Sequence, residues 1–233
     1  MGKNKTGKYL KYAIGEIALV VIGILIALSI NNWNEWRKER GTEREVLEDV
    51  ANDLERNCEI LVKVVEINDN ADRSADLIIS MIDQDQSVID SLPTHLHFAR
   101  LEATTRLSLS LAGYEVLKNQ GFDIILSDTL KDAILDLYET SYPRMIKFAD
   151  YVEGARLDRH KFINQHFITE LGGLLTPIDL DELLDNINYF IFLKRLKQDR
   201  YAINNRAKNS LQKTQGVLQL IRDELGEFDG DNN

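Results

Sequence analysis

Apolar and polar positions along this chain obey two different rules. From Ala13 to Ile30 nearly every position is apolar, and Glu16 is the one charged residue. From Leu47 onward apolar residues recur at intervals of three and four, the period of one face of an α-helix. No stretch shows the alternation expected of a half-buried strand. The fold class predicted is all-α: a single N-terminal transmembrane helix followed by an elongated antiparallel helical bundle.

The apolar run has the dimensions of a membrane span. An α-helix from Tyr12 to Trp33 rises about 31 Å, close to a hydrocarbon core of about 30 Å. Tyr9 and Tyr12 precede it and Trp33 and Trp36 follow it, as suits rings placed at the two water–lipid boundaries. Ala27-Leu28-Ser29 has the small residues of a signal-peptide cleavage site, but the run is longer than a signal core and no polar region precedes the cut. The pattern therefore predicts a short basic leader (1–12), a transmembrane helix (13–32), a juxtamembrane connector (33–41), a helical-bundle domain (42–228) and a polar tail (229–233).

Within the bundle, Gly41 followed by Thr42 and Glu45 reads as a helix break and a capping box. The first long helix is then expected over about 42–83. Its stripe is Leu47, Val50, Leu54, Asn57, Leu61, Val64, Asn68, Ala71, Ala75, Ile78 and Ile82. A loop follows around Asp85–Pro93. Two shorter helices are expected over about 94–107 and 111–120, the second closed by Gly121. Ser127 or Asp128 should cap a second long helix over about 128–168, with a stripe through Ile134, Tyr138, Met145, Phe148, Val152, Ala155 and Phe162. Pro143 should kink it, and Gly172-Gly173 with Thr176-Pro177 should end it. Asp179 and Glu182 form a second cap-like pair before a third long helix over about 183–227. Its face is Leu196, Ile203, Ala207, Leu211, Thr214, Val217, Leu218, Ile221, Leu225 and Phe228. Three such helices can bury their stripes side by side in an up-down-up order, with the short helices capping an end or forming a fourth layer.

Composition narrows the function. The net charge is −10, yet the leader holds Lys3, Lys5, Lys8 and Lys11 and no acid, so the part beyond the span is more acidic than the whole. An acidic domain argues against nucleic acid and against lying flat on anionic lipid. Arg37, Lys38, Arg40 and Arg44 balance the leader by count; the leader's lack of acids favours a cytoplasmic N-terminus and a periplasmic C-terminal domain. The single cysteine, Cys58, excludes an intrachain disulfide and a cysteine metal site, and reads as a small buried hydrophobe.

Candidate chemistry is sparse. No phosphate loop, nucleophile elbow, zinc motif or acid/base dyad is present, so no catalytic residue, cofactor or metal ligand is assigned and the chain reads as a non-enzyme. His95 with His97, and His160 with His166, are spaced to diverge on a helix; His166 falls near an apolar stripe. Asn57 and Asn68 at core positions commonly fix register or oligomer state. In the span, Gly15, Leu19, Gly23 and Ala27 recur every four residues, a pattern that lets helix backbones approach. Glu16 lies at the edge of that stripe; a membrane carboxylate usually faces protein or water, and about one turn inside Tyr12 this one can either join such a helix contact or reach the interface to pair with Lys11, Lys8 or a lipid amine. Gly15, Glu16, Gly23 and Ala27 are the candidate membrane-helix association residues.

Tyr12-Ala13-Ile14-Gly15-Glu16-Ile17, the run Leu19–Leu28 and Ile30-Asn31-Asn32-Trp33-Asn34-Glu35 resemble an uncharacterised family of small single-pass membrane proteins from Bacteroidota. Tyr114-Glu115-Val116-Leu117-Lys118-Asn119-Gln120-Gly121 is similar to that family's second recurring segment. The resemblance implies a bacterial inner-membrane protein and assigns no activity. The expected function is a membrane-anchored helical scaffold or interaction module of the cell envelope, self-associating through its anchor. Its partners would be the lipid bilayer and a second copy or another membrane protein, with no nucleic acid. The alternative is a ligand-sensing domain signalling through a membrane partner.

Overall fold

The computed structural model describes the backbone of residues 5–83, 94–103, 107–154 and 156–230, and the side chains of residues 14–83, 97–103, 107–154 and 159–226. Tyr9, Tyr12, His95, Ala155, Phe228 and the Asp85–Pro93 loop, all singled out above, lie outside the described side chains. The chain divides into two units, Met1–Val46 and Leu47–Asn233.

Helix α1 covers Lys5–Ile82. The break expected at Gly41 is absent, and residues 33–41 are helical. Thr42 is not an N-cap: its hydroxyl donates to the Lys38 carbonyl 3.2 Å away, one turn back. An Arg40–Glu43 ion pair brackets the glycine. A mid-helix glycine costs only about 1 kcal/mol, which strong helix formers on either side offset.

The second unit is a helical bundle. After α1 come α2 (Thr94–Glu102), α3 (Ala112–Gln120), a 3-10 turn (Phe122–Ile124), α4 (Asp128–Leu135), a π turn (Asp136–Ser141), α5 (Tyr142–Gly154) and α6 (Arg156–His166). A small hairpin of β1 (Phe167–Thr169) and β2 (Leu175–Pro177) leads to α7 (Leu180–Leu184) and α8 (Ile187–Gly230). The strands pair antiparallel, Phe167 opposite Pro177. Gly172 and Gly173 turn between them at φ of +86° and +77°, a left-handed conformation that favours glycine. The pair expected to end a helix therefore makes a hairpin turn, in a segment where no strand was expected.

Local signals account for several helix ends. Gly121 closes α3 at φ +95°, its N–H donating to the Leu117 carbonyl. Ser127 caps α4 by accepting from the Leu130 N–H, and Asp179 caps α7 by accepting from the Glu182 N–H. That helix is one turn long. Asn186 restarts the chain by accepting from the Asn188 N–H, so the last long helix begins four residues later than predicted. The π turn ends one residue before α5 opens with Tyr142-Pro143, so the perturbation expected of Pro143 takes the form of a widened turn ahead of it.

Pairings along the bundle fix helix direction. Lys197 bonds Asp76, Arg200 bonds Asn68, and Arg222 bonds Glu55, so α8 runs antiparallel to α1. Lys213 pairs with Asp136 while Arg206 lies over the Phe148 ring, so α8 is antiparallel to α4–α5 as well. The first two long helices are therefore parallel. What returns the chain between them is the segment 94–120: Phe98 and Leu101 pack with Ala75 and Ile78, while Gly113 sits against Asp49. Up-down-up thus becomes up-down-up-down, with the short helices as the second limb. Every predicted core position of α1 from Leu47 to Ile78 is buried.

Candidate functional site

The residues assigned to membrane-helix association are exposed in their own unit. Gly15, Glu16, Gly23 and Ala27 all face outward, and a Cβ built on Gly15 or Gly23 meets nothing within 4 Å. The large apolar side chains from Ile14 to Ile30 are each 47–74 % exposed. This segment makes α1 the one described helix long and apolar enough to cross a membrane. Its one hydroxyl is locally satisfied. The Ser29 hydroxyl donates to the Leu25 carbonyl at 2.8 Å, as a hydroxyl in an apolar surround must. At the end of the run, the Asn31 amide donates to Glu35 and the Arg37 guanidinium lies 5.1 Å from the Trp33 ring centre.

In the bundle, polar chemistry concentrates where α1, α3, α5 and α8 meet. Asp53, buried on α1, accepts from the Ser110 hydroxyl at 2.7 Å, the Gly113 N–H at 2.6 Å and the Arg56 guanidinium at 2.5 Å. One turn on, Asn57 accepts from the Ser110 N–H and donates to the Ser110 carbonyl. Asn57 also donates to the Tyr142 hydroxyl at 3.4 Å. That hydroxyl pairs with Thr214 at 2.9 Å, and Thr214 donates to the Ser210 carbonyl. The chain of bonds runs from α1 to α8 through a buried tyrosine, each group donating once to the next. Burial pushes the Asp53 carboxyl up, but its Ser110, Arg56 and Gly113 donors together hold it below its ordinary value. Burial pushes the Tyr142 phenol up to about 12.

Aromatic stacking flanks this network. Tyr138 lies parallel to Tyr114 with ring centres 4.4 Å apart and edge-on to Tyr142 at 5.2 Å. The Tyr114 hydroxyl reaches Glu139. The Tyr114–Gly121 segment singled out in the sequence is therefore α3 and its C-cap, seated on α1. Periodicity placed Asn57 correctly in the core. It missed Asp53, Ser110 and Gly113, whose link is a contact between segments some 60 residues apart in sequence.

A second polar node lies further along α1. Arg200, buried on α8, donates to Asn68 Oδ1 at 3.0 Å and to the Leu101 carbonyl at 2.9 Å. Asn68 in turn donates to the Val64 carbonyl. Burial and the neighbouring Arg159 guanidinium lower the Arg200 pKa to about 10, against the pull of Glu102 and Asp199. Nearby, Ser74 and His97 pair at 3.1 Å, both buried, and burial keeps His97 below its usual pKa. His166 is half-buried against the Phe162 ring. Cys58 is half-buried beside the α1 stripe rather than fully enclosed.

These groups hold helices together. The Ser74–His97 pair is buried in the core, and the Asp53 carboxylate accepts from three donors. Among the described residues no three His, Cys, Asp or Glu side chains gather to hold a metal ion. No curated protein and no solved structure matches the chain. A family model does match, from Glu16 in the apolar segment to Leu196 in α8, and on that match over residues 16–196 the chain belongs to the family of unknown function DUF6090.

Proposed function

We propose that this protein is a non-enzymatic helical scaffold of the bacterial cell envelope, anchored in the inner membrane by residues 13–32 and self-associating through that anchor. The observation that carries the reading is the apolar segment Ile14–Ile30, whose large side chains find no partner in their own unit. Such a surface is stable only in lipid or against other apolar helices. Gly15, Gly23 and Ala27 on one face let a second helix approach closely, and Glu16 beside them gains a protein environment rather than lipid. The basic leader favours a cytoplasmic N-terminus, with the acidic bundle in the periplasm. The hydrogen bonds that run from Asp53 and Asn57 through Tyr142 to Thr214 join helices to one another, which supports an interaction module rather than a catalyst.

The test is oligomeric state in mild detergent, read by chemical crosslinking of the full chain. The native chain should crosslink to discrete oligomers, and Glu16→Leu with Gly23→Leu should reduce them. Monomers in both cases would remove self-association from the proposal. A ligand-sensing domain working through a membrane partner is the second reading, favoured by a small cavity between α6 and α8.

A further inference from the structure

That cavity has a volume of about 270 Å³ and is lined by Arg159 and Phe162 of α6 and by Ile191, Phe192, Arg195 and Asp199 of α8, among others. On α8 these positions fall at helical spacings of three and four, so one face supplies both the apolar wall and the charged rim. Phe162 and Phe192 stack with ring centres 5.1 Å apart and planes 13° from parallel. Tyr189 lies behind them, 5.7 Å from the Phe162 ring and 6.0 Å from Phe192. This is a preformed aromatic shelf at the floor of a concavity.

The charges above the shelf are unbalanced. Arg159 is only 9 % exposed, yet its one hydrogen bond within the described residues goes to a neutral group, the Val152 carbonyl at 3.1 Å. A guanidinium has five N–H donors, so most of its capacity is left for the cavity. Arg195 is exposed on the rim. Among the described residues neither arginine has a carboxylate in ion-pair contact. Arg200 stands close enough behind the wall for Arg159 to repel it. Three guanidiniums therefore share this corner with Asp199 and Glu102, and the excess is positive. Buried cationic groups are stable when paired with an anion, and a guanidinium fork matches a carboxylate in bidentate fashion.

We propose that this cavity binds a small aromatic carboxylate, with its ring on the Phe162–Phe192 shelf and its carboxylate between Arg159 and Arg195. The volume sits at the low end of ligand pockets, about 300–1,000 Å³. It admits one ring on a short acid arm and excludes a nucleotide or a whole lipid. The inference stands apart from self-association of the anchor, because each is read by a different measurement.

The test uses the full chain in nanodiscs and 3-phenylpropanoate as probe, followed by isothermal titration calorimetry with empty nanodiscs as blank. Saturable binding at one site per chain is expected. Arg195→Gln, a substitution of an exposed residue, should weaken it about tenfold, the cost of losing a charged hydrogen-bond donor. Ile191→Asp, also exposed, should weaken it further by placing a negative charge on the rim. The amine counterpart, 3-phenylpropylamine, and inorganic phosphate should each bind far more weakly, the first lacking the anion and the second the ring. No saturable binding, equal binding of the amine or of phosphate, or binding that survives both substitutions would overturn the assignment.

Discussion

The N–H of Gly113 donates to Asp53 Oδ2 at 2.6 Å, and nothing larger than glycine fits where it stands. A Cβ on Gly113 would lie 2.6 Å from the Asp49 carbonyl carbon and 2.7 Å from the Val50 nitrogen, both backbone atoms of α1. The missing side chain lets α3 dock on α1, and the docking delivers the N–H to the carboxylate. Gly113→Ala should therefore push the two helices apart and cost about 3 kcal/mol, the upper end of overpacking penalties. Gly216 is the control: it is an exposed mid-helix glycine with nothing within 4 Å of an added Cβ. Gly216→Ala should stabilise by about 0.5–1 kcal/mol through helix propensity. Urea denaturation of the full chain in detergent, followed by tyrosine fluorescence, measures both. Equal effects at the two positions would remove the close-approach argument.

The Asp53 carboxyl gives the bundle an acid-sensitive joint. Its donors hold the folded-state pKa below the ordinary value of 3.8. The stability it contributes is therefore fully present above the unfolded-state pKa and is lost as pH falls through the folded-state value. Asp53→Asn should cost about 1–3 kcal/mol at neutral pH, because an amide N–H replaces one of the two accepting oxygens. It should also flatten the loss of stability below about pH 4, where the unfolded carboxyl takes up its proton. Denaturation midpoints of both proteins between pH 3 and 7 decide the point. An unchanged slope in the variant would show that Asp53 does not set the acid limb.

Arg200 and Asn68 should behave as a coupled pair. The arginine reaches across from α8 to bond Asn68 on α1 and the Leu101 carbonyl of α2, tying three helices at one guanidinium. Asn68→Leu alone leaves a buried cation short of an acceptor and should cost about 2–3 kcal/mol. Adding Arg200→Met removes the stranded charge, so the double variant should be no less stable than Asn68→Leu alone. A double-mutant cycle by urea denaturation measures the coupling. Strict additivity of the two losses would show that the bond carries no interaction energy.

How much of this was legible in the sequence depends on the range of each interaction. The α1 stripe could be read because helix periodicity is local, and Leu47, Val50, Leu54, Leu61 and Val64 are all buried where it puts them. Ser127, Asp179 and Gly121 could be read as caps for the same reason. Asn57 and Asn68 were recognisable as polar core positions, but their partners could not be named. Ser110 and Arg200 lie 53 and 132 residues away and are fixed by packing alone. The return limb through α2 and α3 was hidden because short helices carry little periodic signal. The hairpin was hidden because Phe167–Thr169 is too short to alternate, so Gly172-Gly173 looked like a helix stop. The cavity at Arg159 combines α6 with α8, whose adjacency no pattern within either segment encodes.

Gly41 separates a local sequence signal from the structure that overrides it. Glycine followed by a capping-box pair ordinarily ends one helix and starts another. Here the chain stays helical from Lys38 through Glu45, and the Thr42 hydroxyl donates back to the Lys38 carbonyl instead of capping a new start. A glycine in that setting adopts a conformation that any residue can take, and a Cβ on Gly41 would meet nothing within 4 Å. Gly41→Ala should therefore raise helix stability by about 0.5–1 kcal/mol. Gly41→Pro should cost about 3 kcal/mol or more, because it removes an intrahelical N–H and crowds the carbonyl one turn back. Thr42→Ala should change little, since a back-bonded hydroxyl is not a cap. At a true N-cap the same substitution would cost about 1 kcal/mol. Backbone amide exchange of residues 38–46, measured by NMR on the full chain in nanodiscs, reads all three variants at the site. Slower exchange in Gly41→Ala with no change in Thr42→Ala is the expected pair of results. Accelerated exchange in Thr42→Ala would instead restore the helix start at Thr42 and with it the break at Gly41.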